Sequence, residues 1–364
     1  MGAALPGERL RVAQFPPVDP SQVASFEALL ERATTVAGAR PVRQGRITPG
    51  WALRQAEVDV VHLHWLEYIA GSDAAPIVGL ARTLVRTARL LSSLLILRLR
   101  GVGIVWTVHN LRPHEPVRPL VERALAEGVY LVASEVIVHS AYARTQVADQ
   151  FRVKRRRPLN VIPHANYVDA FASGGPGPEE IVTRFDLPPG GYRYLAFGQV
   201  RRYKRLTLLT EQFSRQDGDD LRLLVVGRPN DHDEVERLRA AARLDPRIVL
   251  WLEHIADELV PGLHRACDAA VIAYEDVFSS GALLLALSYG LPVVAPSTGS
   301  ARELFDSPAV EFFSGRDLGP ALARVRGGAG SQQTEAALQA ARAFPWSLVA
   351  EQTLAVYERA AKRS

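Results

Sequence analysis

Four cations, Arg201, Arg202, Lys204 and Arg205, follow directly on an apolar run in the segment "YLAFGQVRRYKRL". The run has the length and composition of a buried strand, and it ends near Gly198, where a missing side chain lets a ligand approach the backbone closely. Downstream, "AYEDVFSSGALLLALSYGLPVVAP" at 273–296 reads as strand, short loop, helix and strand. Ser279, Ser280 and Gly281 fall at the predicted helix start, where unpaired N–H groups and the positive end of the helix dipole attract anions. A serine at a helix start is on its own an ordinary cap. Combined with cations at a strand end, it fits a clamp on the diphosphate of a small phosphorylated ligand. The overall charge agrees with such local recognition: 43 basic and 39 acidic residues leave a net charge of +4, too small an excess for a chain whose main business is nucleic acid.

These groups need a scaffold. Apolar runs of strand length, "LRVAQF", "VDVVHLHW", "GIVWTVHN", "EVIVHS" and "LNVIPH", alternate with helix-length amphipathic segments up to residue 164. The alternation restarts with "YRYLAFG", "LRLLVVG", "RIVLWL", "AAVIAY" and "LPVVAP". Such a pattern predicts parallel sheets covered by helices on both faces. The expected architecture is α/β, two Rossmann-like domains in tandem with an interdomain cleft. The expected boundaries are 1–170 for the first domain, 171–191 for a Gly/Pro-rich linker, 192–345 for the second domain, and 346–364 for a closing amphipathic helix that packs back toward the first. Ligands of open parallel sheets bind beyond the carboxyl ends of the strands. In the first domain that edge offers His62, His64, His109, His114, Glu115 and His164. His109, ending "IVWTVH", is the first choice for a group beside the reacting centre. His114 and Glu115, on the loop that follows, are candidates for a general base. His62 and His64 also read as satisfied strand histidines, and His164 as a ligand contact or a turn cap.

The segment "PIVGLARTLVRTARLLSSLLILRLRGVGI" at 76–104 is apolar yet carries Arg82, Arg86, Arg89, Arg98 and Arg100. Spanning a bilayer would cost about 2.5–3.5 kcal/mol for each guanidinium near its centre, so a crossover helix, or a helix at an anionic membrane surface, is expected instead. No secretory signal is evident at the N-terminus, and a single cysteine, Cys267, excludes a disulfide framework. A cytoplasmic protein, peripheral at the inner face of the cell membrane, is the expected setting.

The chain resembles the GT-B glycosyltransferases, in particular the family 4-like enzymes and bacterial mannosyltransferases of exopolysaccharide assembly. The resemblance rests on "DVVHLHW", "VWTVHN", "EVIVHSAYAR", "NVIPHANY", "FGQVRRYKRL", "VVGRP", "SSGALLLALSYGLPVVAP" and "FPWSLVAEQTLAVYE". It implies that Arg201 and Lys204 bind the donor diphosphate together with Gly198, Ser279, Ser280 and Gly281. It also implies that His109 contacts the donor sugar, with Glu275 and His164 as further sugar contacts. The resemblance departs at one place: the residue aligned with the second of a pair of glutamates is Leu285, which cannot hydrogen-bond a ribose, so neither that contact nor a retaining outcome is implied. The implied activity is hexosyl transfer, mannose or glucose, from a GDP- or UDP-linked sugar to a lipid-linked or saccharide acceptor. No metal is expected, because the two cations neutralise the diphosphate and no metal-ligand motif is present. Alternatives on the same fold are a sugar-nucleotide epimerase or phosphorylase, and a non-catalytic nucleotide-sugar-binding component of a polysaccharide assembly complex.

Overall fold

The computed structural model describes residues 9–19, 24–43, 45–54, 57–70 (69 and 70 by backbone alone), 77–111, 116–151, 157–171, 175–279, 281–315, 317–328 and 330–363. The chain divides into two compact units, Met1–His164 with Trp346–Ser364, and Ala165–Pro345.

The first unit contains β1 (Arg11–Phe15), α1 (Phe26–Val36), β2 (Arg40–Pro41), α2 (Pro49–Arg54), β3 (Val60–Leu63), α3 (Leu66–Ala70), α4 (Ile77–Leu99), β4 (Gly103–Thr107), α5 (Pro119–Val132), β5 (Glu135–Val138), α6 (Ala141–Gln150) and β6 (Leu159–Val161). Among the described residues its six strands form one parallel sheet in the order β2-β1-β3-β4-β5-β6. The central strands are buried along their whole length, which explains why they read as continuous apolar runs. The chain leaves β1 toward β2 and then returns to β1's other side for β3. The order therefore reverses between β1 and β3.

The second unit contains α7 (Pro178–Arg184), β7 (Tyr192–Phe197), α8 (Leu206–Phe213), β8 (Leu221–Val226), α9 (His232–Leu244), β9 (Ile248–Trp251), α10 (Val260–Arg265), β10 (Ala269–Val271), α11 (Gly281–Ser288), β11 (Val293–Pro296), α12 (Ser300–Leu304), β12 (Val310–Phe313), α13 (Leu318–Arg326) and α14 (Gly330–Arg342). Its six described strands form a second parallel sheet, β12-β11-β10-β7-β8-β9, whose order reverses between β7 and β10. Alternate residues serve the two faces: Leu195, Leu224 and Val293 enter one core, and Tyr194, Leu223, Val225 and Val294 the other.

The last helix, α15 (Trp346–Lys362), is part of the first unit. Its Val356 and Tyr357 are buried, while Leu348 is 36% exposed. Close packing of α15 on β4 requires Gly103, because a Cβ there would lie 2.8 Å from the Ala360 backbone. Arg363 pairs with the buried Glu135 carboxylate at 3.0 Å, and Arg359 donates to Asn160 at 2.8 Å.

Two features depart from the sequence expectation. Part of the stretch expected as a linker, 171–191, folds as α7 and packs on α10, with Ile181 and Leu187 buried in the second unit's core. Proline in the first helical turn starts that helix instead of breaking it. The edge strands β2 and β12 were not anticipated, since "RP" and "VEFF" are too short for a periodic signal.

Candidate functional site

In the second unit the site is built where the strand order reverses, the place at which open parallel sheets leave a crevice. β7 and β10 are neighbours there, so the loops after them lie side by side. The chain leaves β7 through Gly198, whose φ of +101° favours glycine, then forms a one-turn 3-10 helix at Arg202–Lys204. Arg205, at φ +53°, joins this turn to α8 in a left-handed conformation unusual for a side-chain-bearing residue.

The four cations part company in this turn. Arg202 faces Asp231 and Asp233 at the start of α9, at 3.7 and 3.5 Å. Arg201 donates through Nε to Gln199 Oε1 at 3.0 Å. Lys204 is 7% exposed; its Nζ lies 3.4 Å from Phe197 O and 5.6 Å from the centroid of the Tyr274 ring. Among the described residues no carboxylate pairs with it. Burial, and then the nearby Arg201 charge, bring its pKa down to about 8. A Cβ on residue 198 would come within 2.8 Å of this ammonium, so Gly198 makes room for it.

The segment after β10 passes over the same turn. Tyr203 and Tyr274 meet edge to face at 5.4 Å. Glu275 and Asp276 are exposed, Ser279 is half-buried, and Gly281 opens α11, an apolar helix buried from Leu283 onward. The loop after β11 braces this segment: Ser300 N and Oγ both donate to Val277 O, at 2.7 and 2.8 Å, and Thr298 Oγ1 donates to Glu275 O at 2.8 Å. The structure thus brings Lys204 against Tyr274, at the start of the segment that leads to α11. Ser280 lies outside the described residues.

In the first unit the carboxyl edge of the sheet is lined by histidines. His64, His109, His139 and His164 come just after β3, β4, β5 and β6, and the first three form a chain. His64 Nδ1 is 3.1 Å from His109 Nε2, and His109 Nδ1 is 3.3 Å from His139 Nε2. The ends are Gln14 Oε1, 3.1 Å from His64 Nε2, and Ile162 O, 2.9 Å from His139 Nδ1. A carbonyl can only accept, so His139 carries its proton on Nδ1. His62, within β3, contacts Thr107 Oγ1 at 2.7 Å and the Tyr357 hydroxyl of α15 at 2.8 Å. Burial is the main cause that pushes His62 down to about 3 and His139 to about 4. The same cause, reinforced by neighbouring imidazoles, holds His64 and His109 well below the ordinary range. Burial thus favours the neutral form of all four.

His109 therefore differs from the expectation that it offers a nitrogen to a sugar. It is 4% exposed, both ring nitrogens are bonded to histidines, and Trp65 stacks on its face at 4.1 Å. Trp65 in turn donates through Nε1 to the carboxylate of Glu27, whose pKa is raised by burial. Phe26 packs against His64, His109, His139 and His164 together, with His164 half-buried at 4.7 Å. His114 and Glu115 lie outside the described residues. Sequence reasoning missed His139, Gln14 and Phe26. The available signal was the recurrence of a histidine at four successive strand ends, in "HLHW", "TVHN", "IVHS" and "VIPH".

An apolar pocket opens beside these histidines, between α3, α4 and α5, with Trp65, Trp106 and Leu125 among its walls. Among the described residues no group of acidic, histidine or cysteine side chains is arranged to hold a metal ion.

Comparison with known proteins places this geometry. Residues 191–317 match the family model described as glycosyl transferases group 1. A GDP-mannose:glycolipid 4-beta-D-mannosyltransferase from Xanthomonas campestris pv. campestris is 32% identical over 248 residues, covering 68% of this chain and 64% of the relative. A second such sequence from the same pathovar is 32% identical over 238 residues, 65% of this chain and 61% of its own length. The chain thus spans somewhat under two thirds of these curated relatives. Among solved structures, a glycosyltransferase from Rickettsia africae superposes with a TM-score of 0.70 at 16% identity, covering 98% of this chain and 100% of that one. HepE from Anabaena, in complex with UDP-glucose, gives 0.67 at 16% identity over 96% and 99%. Sucrose-phosphate synthase from Thermosynechococcus elongatus gives 0.67 at 15% identity over 96% and 98%. Residues 191–317 thus match a glycosyl transferases group 1 domain, and the chain as a whole shares the GT-B fold of these structures.

Proposed function

We propose that the chain is a nucleotide-sugar-dependent hexosyltransferase that moves a hexose from a nucleoside diphosphate to a glycolipid acceptor. The single observation that carries this reading is Lys204, a buried ammonium that no carboxylate among the described residues pairs with, at the strand-order reversal of the second unit. A buried unpaired charge is costly, and such groups cluster where a ligand supplies the counter-charge. A diphosphate supplies it. In this reading Lys204, Arg201, Gly198, Ser279, Ser280 and the α11 start at Gly281 bind the diphosphate, and Glu275 meets the sugar. Fixed cations and the helix start then stabilise the negative charge that develops on the departing diphosphate. These groups supply the neutralisation a metal would otherwise give, so turnover is proposed to be metal-independent. The first unit binds the acceptor, with His109 shaping that surface through its neighbours.

GDP-mannose is the first donor proposed, because the 32% identical relatives are named for it; UDP-glucose follows, because HepE was solved with it. The acceptor proposed is a lipid-linked saccharide, such as an exopolysaccharide intermediate. The α4 surface supports a peripheral position at the inner face of the cell membrane. Among the described residues no helix is long and apolar enough to cross a membrane. Yet α4 exposes Ile77, Val78, Leu84 and Val85 alongside Arg82, Arg86 and Arg89, the mixture that suits an anionic lipid surface.

The test is transfer of labelled mannose from GDP-mannose into a lipid extract, run with and without a chelator. Turnover that survives chelation and disappears in a folded Lys204→Ala protein is expected. An unchanged rate in that variant contradicts the assignment.

A further inference from the structure

The turn after β7 is braced by the loop after β8. β7 and β8 pair in register as far as Phe197 and Val226, and the chain goes on pairing beyond them. Gly198 N donates to Val226 O at 2.9 Å, Val200 N to Arg228 O at 2.9 Å and Asn230 N to Val200 O at 3.2 Å, with Val200 and Pro229 forming a parallel bridge. This continuation brings the side chains of Gln199, Arg201 and Asn230 together. Arg201 Nε donates to Gln199 Oε1 at 3.0 Å. The Asn230 amide reaches the same pair: in one orientation its nitrogen donates to Gln199 Oε1 at 3.0 Å. In the opposite one its oxygen accepts from Arg201 Nη2 at 3.3 Å while its nitrogen donates to Pro229 O at 2.9 Å.

Arg201 and Lys204 carry like charges in one short turn, so an unrestrained guanidinium would swing away from the buried ammonium into water. A long side chain also loses rotamer freedom when a ligand orders it, which weakens binding. Two amides oppose both effects. They are neutral, so they orient the guanidinium without cancelling its charge. Arg202 is the contrast within the same turn, since it faces the carboxylates of Asp231 and Asp233, which would compete with an anionic ligand. We infer that Gln199 and Asn230 are positioning residues that hold the Arg201 guanidinium near Lys204, ready for the diphosphate of the donor. This assignment rests on the diphosphate reading above and extends it to the loop after β8.

The test is calorimetric titration with GDP of the parent protein, Gln199→Ala, Asn230→Ala, Arg201→Ala and the double variant Asn230→Ala/Arg201→Ala. Gln199 and Asn230 are both exposed, so these proteins should fold as the parent does. Each amide replacement should weaken GDP about fivefold, the scale of one hydrogen bond. In the Arg201→Ala background the Asn230 replacement should cost nothing more, because its effect passes through the guanidinium. The pH above which GDP affinity falls, set by the Lys204 ammonium, should rise in Asn230→Ala, since a guanidinium that moves off repels that ammonium less. A purely structural role of Asn230 would leave that pH unmoved. An unchanged GDP affinity in both amide variants, the same fivefold loss in the Arg201→Ala background, or an unmoved pH dependence overturns the proposal. An Arg201→Ala protein that binds GDP as the parent does removes the part of Arg201 in the diphosphate reading, whereas a loss there with none in the amide variants removes the positioning role alone.

Discussion

Lys204 concentrates the energetic argument at the scale of the residue. With a pKa near 8, the free protein holds this ammonium against the cost of burying it. Because the folded pKa lies below the unfolded one, the unfolded chain binds more protons between about pH 8 and 10.5, and Lys204 makes the protein more stable as pH rises through that window. Replacing it by methionine should therefore raise stability by about 1–3 kcal/mol while removing diphosphate binding, measured by denaturant unfolding and GDP titration. In the parent protein GDP affinity should hold steady below about pH 8 and fall about tenfold per pH unit above it; calorimetry across that range checks the bend. The buried histidines act in the same direction, in a lower pH window. Their folded pKa values lie below the ordinary 6.5. Their contribution is complete above pH 6.5 and is lost as pH falls toward 4, with a slope of up to about 1.4 kcal/mol per pH unit for each ring. Urea unfolding at pH 7 and pH 5 measures that loss, and His139→Gln should make it shallower.

Elements decide which of these residues meet. The strand pattern of both sheets was legible because buried parallel strands are runs of Val, Ile and Leu, as in "DVVHL" and "LRLLVV". The position of Gly198 and Lys204 just after β7 was legible too, since a glycine and a cation following an apolar run mark a strand end through local sequence. The histidine chain was not, because it depends on which strands are neighbours, and spacing along the chain does not reveal that His64, His109 and His139 stand side by side. Nor did composition separate Arg202, which faces acids on α9, from Lys204 two residues later. The Gly/Pro-rich stretch before β7 misled because proline starts helices as readily as it ends them. Two predictions belong here. Gly198→Ala should abolish GDP binding in a folded protein, because the new methyl displaces the Lys204 ammonium. Tyr357→Phe, which removes the α15 hydroxyl from His62, should cost about 1–2 kcal/mol in chemical denaturation.

At the scale of the whole molecule each unit is a parallel sheet whose strand order reverses once, with buried histidines along the carboxyl edge of the first sheet and cations after β7 in the second. In a chain of net charge +4, local clusters of cations stand in the turn after β7 and along α4. Binding to vesicles should accordingly require anionic lipid, weaken with salt, and drop several-fold when Arg82, Arg86 and Arg89 are replaced by alanine; flotation with neutral and anionic vesicles measures this. Recognition of a sugar nucleotide through its diphosphate is the claim on which the functional account stands. Its most direct measurement is the thermal shift of the parent protein and of Lys204→Ala with GDP, UDP and dTDP. The account predicts that GDP raises the parent's Tm by several degrees at saturating concentration and leaves the variant's unmoved. An equal shift in both proteins would contradict it.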